Sequence, residues 1–210
     1  MDTLDHLTLY FSKDSCAIAS IAALEDVGVP FGLQRVDMSL SGAGDENYMA
    51  INSRRQVPAL WVGGRIVRET GSIFHFLQQH FPSSRTLPTD PQHTIKAMEW
   101  IGYLGGTLHP AFRILFLAPR WVGDDAVAKK ALWTHTVPVI EKLLHGIDGE
   151  LEDGAWVLGE RSAIDYYLFV FAHWALMLRL PLPPRLAAHH ARTRDLPAMQ
   201  RALLREAEQA

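Results

Sequence analysis

The sequence predicts two architectures in series: a small α/β unit on one mixed sheet, then an all-helical unit. Three observations carry this. Over the first eighty residues, short alternating apolar runs of strand type trade places with runs at helical spacing. The segment Pro82-Ser-Ser-Arg-Thr-Leu-Pro-Thr-Asp-Pro91 then puts three prolines in ten residues and reads as an exposed linker. Beyond it, apolar residues recur at helical spacing only. The expected division of the 210 residues is 1–81, a linker 82–91, and 92–210, a length that serves one large core or two small ones.

Each element follows from its residues. Leu7–Phe11 is a strand, Ser15–Val27 a helix, and Gly28-Val-Pro30 a stop. Phe31–Asp37 alternates as a second strand, Ser39–Gly44 is a polar connection, and Glu46–Ile51 a short helix. Val57–Val62, Gly63-Gly64 and Arg65–Val67 make a hairpin, because paired glycines supply the positive φ of a tight turn. Thr70–Phe81 closes the unit as an amphipathic helix with Ile73, Phe74 and Leu77 on one face. Further helices are expected over His93–Leu117, Asp124–Asp148, Ser162–Leu180, Pro183–Ala191 and Leu196–Ala207. Ser162-Ala-Ile-Asp165 has the form of a capping box ahead of the apolar run Tyr166–Ala172, which predicts a buried central helix.

Composition narrows the partners. A 48% hydrophobic, 20% charged chain is that of a globular protein, and a net charge of −3 offers no general attraction for nucleic acid. The run of Arg185, Arg192, Arg194, Arg201 and Arg205, interleaved with Asp195, Glu206 and Glu208, reads as a solvated helix face. No apolar stretch approaches the ~20 residues of a membrane span. The acidic start Met1–His6 lacks the basic region of a secretory leader, and the single cysteine fits a reducing compartment, so a cytoplasmic protein is expected. One cysteine excludes a disulfide framework. His189-His190 point to different sides of a helix, so no metal site is expected. Phosphate-binding glycine motifs are missing.

Three features carry chemistry. Cys16 sits where a strand and polar turn run into a helix, whose partial positive N-terminus favours a thiolate. Asp14 or Ser15 can cap that helix. Cys16 is therefore a candidate nucleophile or thiol-binding group, and equally a small buried hydrophobe. Gln56-Val57-Pro58 opens a strand; a cis Val57–Pro58 bond would turn the N–H and C=O of Val57 outward to pair with an extended peptide. Glu69-Thr70 lies where the last strand enters a helix, bringing a carboxylate, a hydroxyl and free amides to one corner, which suits the α-carbon end of an amino acid. Each is an ordinary structural device taken alone; their shared order is the signal.

With these residues the chain resembles the cytosolic glutathione transferases, and most closely the bacterial beta class. The resemblance spans essentially the whole chain. It is carried by Leu9-Tyr-Phe-Ser-Lys-Asp-Ser-Cys16, Asn52-Ser-Arg-Arg-Gln-Val-Pro58, Glu69-Thr70, Glu99-Trp100 with His109, and Gly159-Glu-Arg-Ser-Ala-Ile-Asp165. It implies a thioredoxin-like first domain (βαβαββα), a linker, a helical second domain and a homodimer. It further implies that Cys16, Val57, Glu69, Thr70 and His109 bind glutathione, as a substrate with no other cofactor. Cys16, Ser15 and His109 are the implied catalytic residues: they stabilise the thiolate that attacks a small apolar electrophile in detoxification, and Cys16 also serves thiol-disulfide exchange. His109 has an alternative as a hydrogen-bonded core histidine. Tyr103, Phe112, Phe116 and Trp174 are the candidate electrophile pocket among aromatics that are mostly core.

The chain departs from the beta-class pattern at Gly102, Gly105, Gly106, Pro110 and Ser41, which removes polar contacts to glutathione. Those losses favour the competing expectation, a non-catalytic ligand- or partner-binding protein on the same scaffold. The retained thiol and acidic corner oppose it.

Overall fold

The computed structural model describes residues 6–38 and 46–209, without the side chain of Glu46. The Ser39–Gly44 connection, Ser41 within it, and residues 1–5 of the acidic start lie outside the described residues. Two compact units are present: the described residues up to Thr89 together with those from Thr193 onward, and Asp90–Arg192.

The first unit holds a four-stranded mixed sheet in the order β2-β1-β3-β4. Strand β1 (Leu7–Phe11) runs parallel to β2 (Phe31–Arg35) and antiparallel to β3 (Ala59–Val62), so that Leu9 lies opposite both Leu33 and Leu60. Strand β4 (Arg65–Arg68) completes the hairpin expected at Gly63-Gly64. Strand β3 starts two residues later than Val57, because the Val57–Pro58 peptide is cis and Pro58 brings no donor to the ladder. Leu7, Leu9 and Phe11 point to the core while Thr8 and Tyr10 alternate outward.

Helix α1 (Ala17–Val27) buries every residue from Ala17 to Leu24. It ends at Gly28, whose φ of 76° lets its N–H return to the Leu24 carbonyl at 3.1 Å. A helix buried on all sides needs cover on all sides. Helix α3 (Thr70–His80) packs along it with Ile73, Phe74 and Leu77 fully buried, as expected. The remaining cover comes from the chain's far end: α10 (Pro197–Glu208), expected with the helical domain, packs on α1. Glu25 clamps it, taking Arg201 Nε and Arg205 Nη1 at 2.7 Å each, while the Arg205 guanidinium lies 4.0 Å from the centre of the Phe31 ring. The arginine run expected as a solvated face is thus partly a seam. The expected linker is likewise not exposed throughout. After a 3₁₀ turn at Pro82–Ser84, Thr86 and Leu87 are buried, and Gln78 of α3 accepts the Leu87 N–H at 3.0 Å. The short helix α2 (Glu46–Ile51) matches its expected span.

The second unit is helical. Helix α4 (Pro91–Tyr103) starts at Asp90, whose carboxylate accepts the His93 N–H. The single helix expected over His93–Leu117 is interrupted by a π turn at Leu104–Leu108, after which α5 (His109–Phe116) resumes. Pro110 has no N–H for the Gly106 carbonyl, and its ring would strike that carbonyl in a regular α-turn; the wider turn relieves this. The short helix α6 (Ala118–Val122) was not expected. The long helix α7 (Ala126–Glu150) precedes the buried α8 (Ala163–Met177), then α9 (Pro184–Arg194). The capping box forms as read: Ser162 Oγ accepts the Ile164 N–H and Asp165 accepts the Ser162 N–H at 2.8 Å. Asp165 is fully buried and also takes the Val157 N–H and His189 Nε2, so its charge is met by three donors.

A side chain at Gly105 would meet the Tyr167 hydroxyl at 3.2 Å, whereas Gly102 has nothing within 4 Å. Gly102→Ala is expected to raise stability by about 1 kcal/mol, the helix-propensity difference, read from urea unfolding. Gly105→Ala is expected to gain less or to lose.

Candidate active site

Cys16 is the N-cap of α1, with helical backbone angles (φ −63°, ψ −8°) and no side-chain cap bond. Ser15 does the local capping instead. Its Oγ accepts the Ala17 N–H at 3.3 Å and donates to the Ser12 carbonyl at 2.6 Å, while Asp14 takes a left-handed φ of 57°. The thiol is 5% exposed, as a core reading expects, yet its Sγ lies 3.8 Å from the Val57 carbonyl across the sheet end, as a site reading requires. The Val57 carbonyl is thus within reach of the thiol. The same burial means that Cys16 is not an open thiol ready for exchange. The Val57 side chain packs on the cluster of Val36, Tyr48 and Ala59, which seats the cis-proline turn.

Glu69 and Thr70 lie at the start of α3. Glu69 has φ 68° and ψ 134°, a conformation that costs a non-glycine residue about 1–3 kcal/mol and is characteristic of functional sites. Its carboxylate does not cap α3; it is exposed and meets Arg54 Nη1 at 3.2 Å. Thr70 is buried. The loop between α2 and Val57 is built around Asn52, which opens the segment Asn52–Pro58 but whose role the sequence does not show. Its Nδ2 donates to the Gln56 carbonyl and the Tyr48 hydroxyl, and its Oδ1 accepts from Arg68 Nε and the Arg54 N–H.

Glu206 of α10 was likewise not expected here. It is 7% exposed and accepts the backbone N–H of Asp14, the left-handed residue two before Cys16. Burial, with the Asp14 carboxylate beside it, pushes Glu206 up to about 7. The tail sequence held no signal for this, since Glu206 only meets the turn through tertiary packing.

His109 belongs to the second unit, directly after the π turn. Its ring lies 5.1 Å from Trp174 and 5.9 Å from Phe171, and burial, with Arg113 adding to it, pushes its pKa down to about 4. It is thus a neutral imidazole at pH 7, able to offer a hydrogen bond but not a cation. Phe112, Phe116 and Trp174 form one aromatic cluster with it, but Phe112 and Trp174 are buried, so they back a surface and do not form one. Phe116 alone of these is open, at 38% exposure. Tyr103, expected with them, packs its ring edge on Trp100 instead; the π turn separates it from Phe112.

Two pH effects follow. Stability held by neutral His109 is full above pH 6.5 and drains as pH falls toward 4, since the unfolded chain binds the proton first. His109→Phe is expected to flatten this acid limb by on the order of 2 kcal/mol between pH 7.5 and 4.5 relative to the parent. Glu206 has the opposite sign: it keeps its proton in the folded chain, so its contribution is lost as pH rises from 4.5 through about 7. Glu206→Gln is expected to stabilise the protein at pH 8 by on the order of 2 kcal/mol and to change little at pH 5. Urea unfolding across pH checks both.

Comparison with known proteins places this arrangement. The family model for the glutathione S-transferase N-terminal domain matches residues 6–79. The glutathione S-transferase GstA of Escherichia coli O157:H7 is 30% identical over 206 residues, covering 95% of this chain and 98% of its own. The structure of a bacterial beta class glutathione S-transferase from Sphingomonas chungbukensis is 27% identical, with a TM-score of 0.80 over 95% of this chain and 98% of that one. A glutathione transferase homologue from Sulfitobacter, solved with bound glutathione, shares the fold with a TM-score of 0.86 at 24% identity, covering 95% of this chain and 98% of its own. With a relative this similar over nearly the full length, and the first unit matched by the family model, the chain belongs to the glutathione S-transferase family.

Proposed function

We propose that this protein is a beta-type, homodimeric cytoplasmic glutathione transferase that joins the glutathione thiolate to small apolar electrophiles. The observation that carries the reading is the corner where the Cys16 thiol, at the head of α1, faces the carbonyl of Val57 in the cis-proline turn. Glutathione itself, mostly a thiol at pH 7, is a poor nucleophile. The partial positive charge at the head of α1 favours its anion, and the Cys16 S–H and Ser15 O–H, which here face the Val57 and Ser12 carbonyls, would turn to it as donors; each unit of pKa lowering corresponds to about 1.4 kcal/mol. Glu69 offers a carboxylate to the γ-glutamyl ammonium, with the Thr70 hydroxyl beside it, and Val57 offers its backbone to the cysteinyl residue. His109, neutral at pH 7, is fitted to act through a hydrogen bond and not as a cation. The thiolate sulfur then forms a bond to the electrophilic carbon and the leaving group departs with the electron pair.

The burial of Cys16 favours conjugation over exchange through Cys16 itself. Similarity to a beta class enzyme and to a homologue solved with glutathione supports both the class and the ligand. Phe116, with Phe112 and Trp174 behind it, is the candidate wall for the apolar substrate.

Calorimetric titration with glutathione, followed by a conjugation assay against an activated aryl halide, tests the proposal. Saturable binding with conjugate formation is expected. No binding at millimolar glutathione assigns the chain to the scaffold reading, a ligand-binding protein without this chemistry. Cys16→Ala is expected to remove any glutathione mixed disulfide seen by mass spectrometry and to lower conjugation by no more than about tenfold, the worth of one neutral hydrogen bond. An unchanged adduct in that variant contradicts the role of Cys16.

A further inference from the structure

We propose that Asn52 is a positioning residue that sets both ends of the glutathione grip at once, an inference that rests on the reading of the first unit as a glutathione site. Its carboxamide is 1% exposed and has all four hydrogen-bonding positions filled. Nδ2 donates to the Gln56 carbonyl at 2.8 Å and to the Tyr48 hydroxyl at 3.1 Å. Tyr48 donates to the same Gln56 carbonyl, so two side chains hold the peptide unit immediately before Val57. This end of the network sets where the Val57 backbone meets the cysteinyl residue.

The oxygen of the same carboxamide serves the other end. It accepts the Arg54 N–H at 3.2 Å and Arg68 Nε at 2.7 Å, tying the loop to the end of β4, one residue before Glu69. Arg54, fixed at its backbone, extends its guanidinium to Glu69 Oε1 at 3.2 Å. Glu69 meanwhile carries a strained backbone that neighbouring contacts must hold. One buried amide thus links the carboxylate that would meet the γ-glutamyl ammonium to the peptide that would pair with the cysteine. Asn52 reaches neither part of glutathione itself; it acts through Gln56, Arg54 and Arg68. A leucine would fill the space but leave the Gln56 carbonyl short of a donor and Arg68 short of an acceptor.

The test is Asn52→Asp, which keeps the size and both acceptor contacts but removes both donations and sets a negative oxygen against the Gln56 carbonyl. The KM for glutathione is expected to rise about tenfold, the equivalent of a neutral hydrogen bond or two. The kcat at saturating glutathione and the KM for the aryl halide are expected to stay within about twofold. A folded Asn52→Asp variant with the parent's glutathione KM overturns the proposal, as does a loss confined to kcat or one that merely follows the folded fraction by circular dichroism. Should Asn52→Asp fail to fold, Arg54→Ala carries the same decision: its side chain is 60% exposed and outside the core. A threefold or larger rise in glutathione KM there supports the relay to Glu69, and an unchanged value overturns it. Calorimetry on the parent protein separates the two levels. Absent glutathione binding removes the functional reading itself, whereas parent binding with indifferent variants removes only the role of Asn52.

Discussion

The all-round burial of α1 is the constraint from which the first unit follows. A helix reading Ala-Ile-Ala-Ser-Ile-Ala-Ala-Leu has no polar face to leave in water, so the sheet and α3 on their own are insufficient cover. Burying Ile18, Ile21 and Leu24 is worth about 1.5–3 kcal/mol each relative to exposure. The chain meets this by bringing α10 back from its far end and fastening it with the Glu25 pair to Arg201 and Arg205. The small alanines of α1 let both neighbours approach closely. Because α1 is immobilised on every side, its first turn, and with it Cys16, has a fixed place relative to β3.

That fixed place brings a set of ordinary devices together at one corner. The turn before Cys16 is held from three directions: by Ser15 bonding back to Ser12, by the left-handed Asp14, and by Glu206 receiving the Asp14 N–H. Opposite it, the cis-proline turn is held by Val57 packing on Tyr48 and Val36 and by the hydrogen bonds of Asn52 and Tyr48 to Gln56. Positive φ marks Asp14, Arg55 and Glu69 here, and of these Glu69, at ψ 134°, lies outside the left-handed helical basin. The pattern matches what binding of a polar tripeptide asks for: pre-ordered backbone donors and acceptors, which lose little entropy when the ligand arrives.

In the second unit the π turn has a comparable role for His109. Pro110 and the glycine pair shift the phase of the helix, and the ring lands among Phe171, Phe112 and Trp174, where desolvation keeps it neutral. The same phase shift separates Tyr103 from that cluster. A side chain at Gly105 would press on the Tyr167 hydroxyl, while Gly102 has no neighbour within 4 Å of such a group.

The sequence by itself determined the mixed sheet, the stop of α1 at Gly28, the span of α2 and the capping box at Ser162, because alternation, capping residues and glycine stops are local properties written in adjacent residues. It also pointed to Cys16, the Val57-Pro58 turn and Glu69-Thr70, since each lies at a junction between elements that can be read from the order of residues. Tertiary structure alone decided the rest. That α10 belongs with α1, that Glu206 meets Asp14, that Asn52 joins Gln56 to Arg68, and that the Val57 carbonyl faces the thiol all depend on contacts between residues far apart in the chain or on the path of a loop. The break in the α4–α5 helix depended on how Pro110 and the glycine pair resolve a backbone conflict, which periodicity does not register. Burial likewise could not be read for Cys16: a thiol at a helix start is open or enclosed according to what packs over it, and that is settled by elements it does not adjoin in sequence.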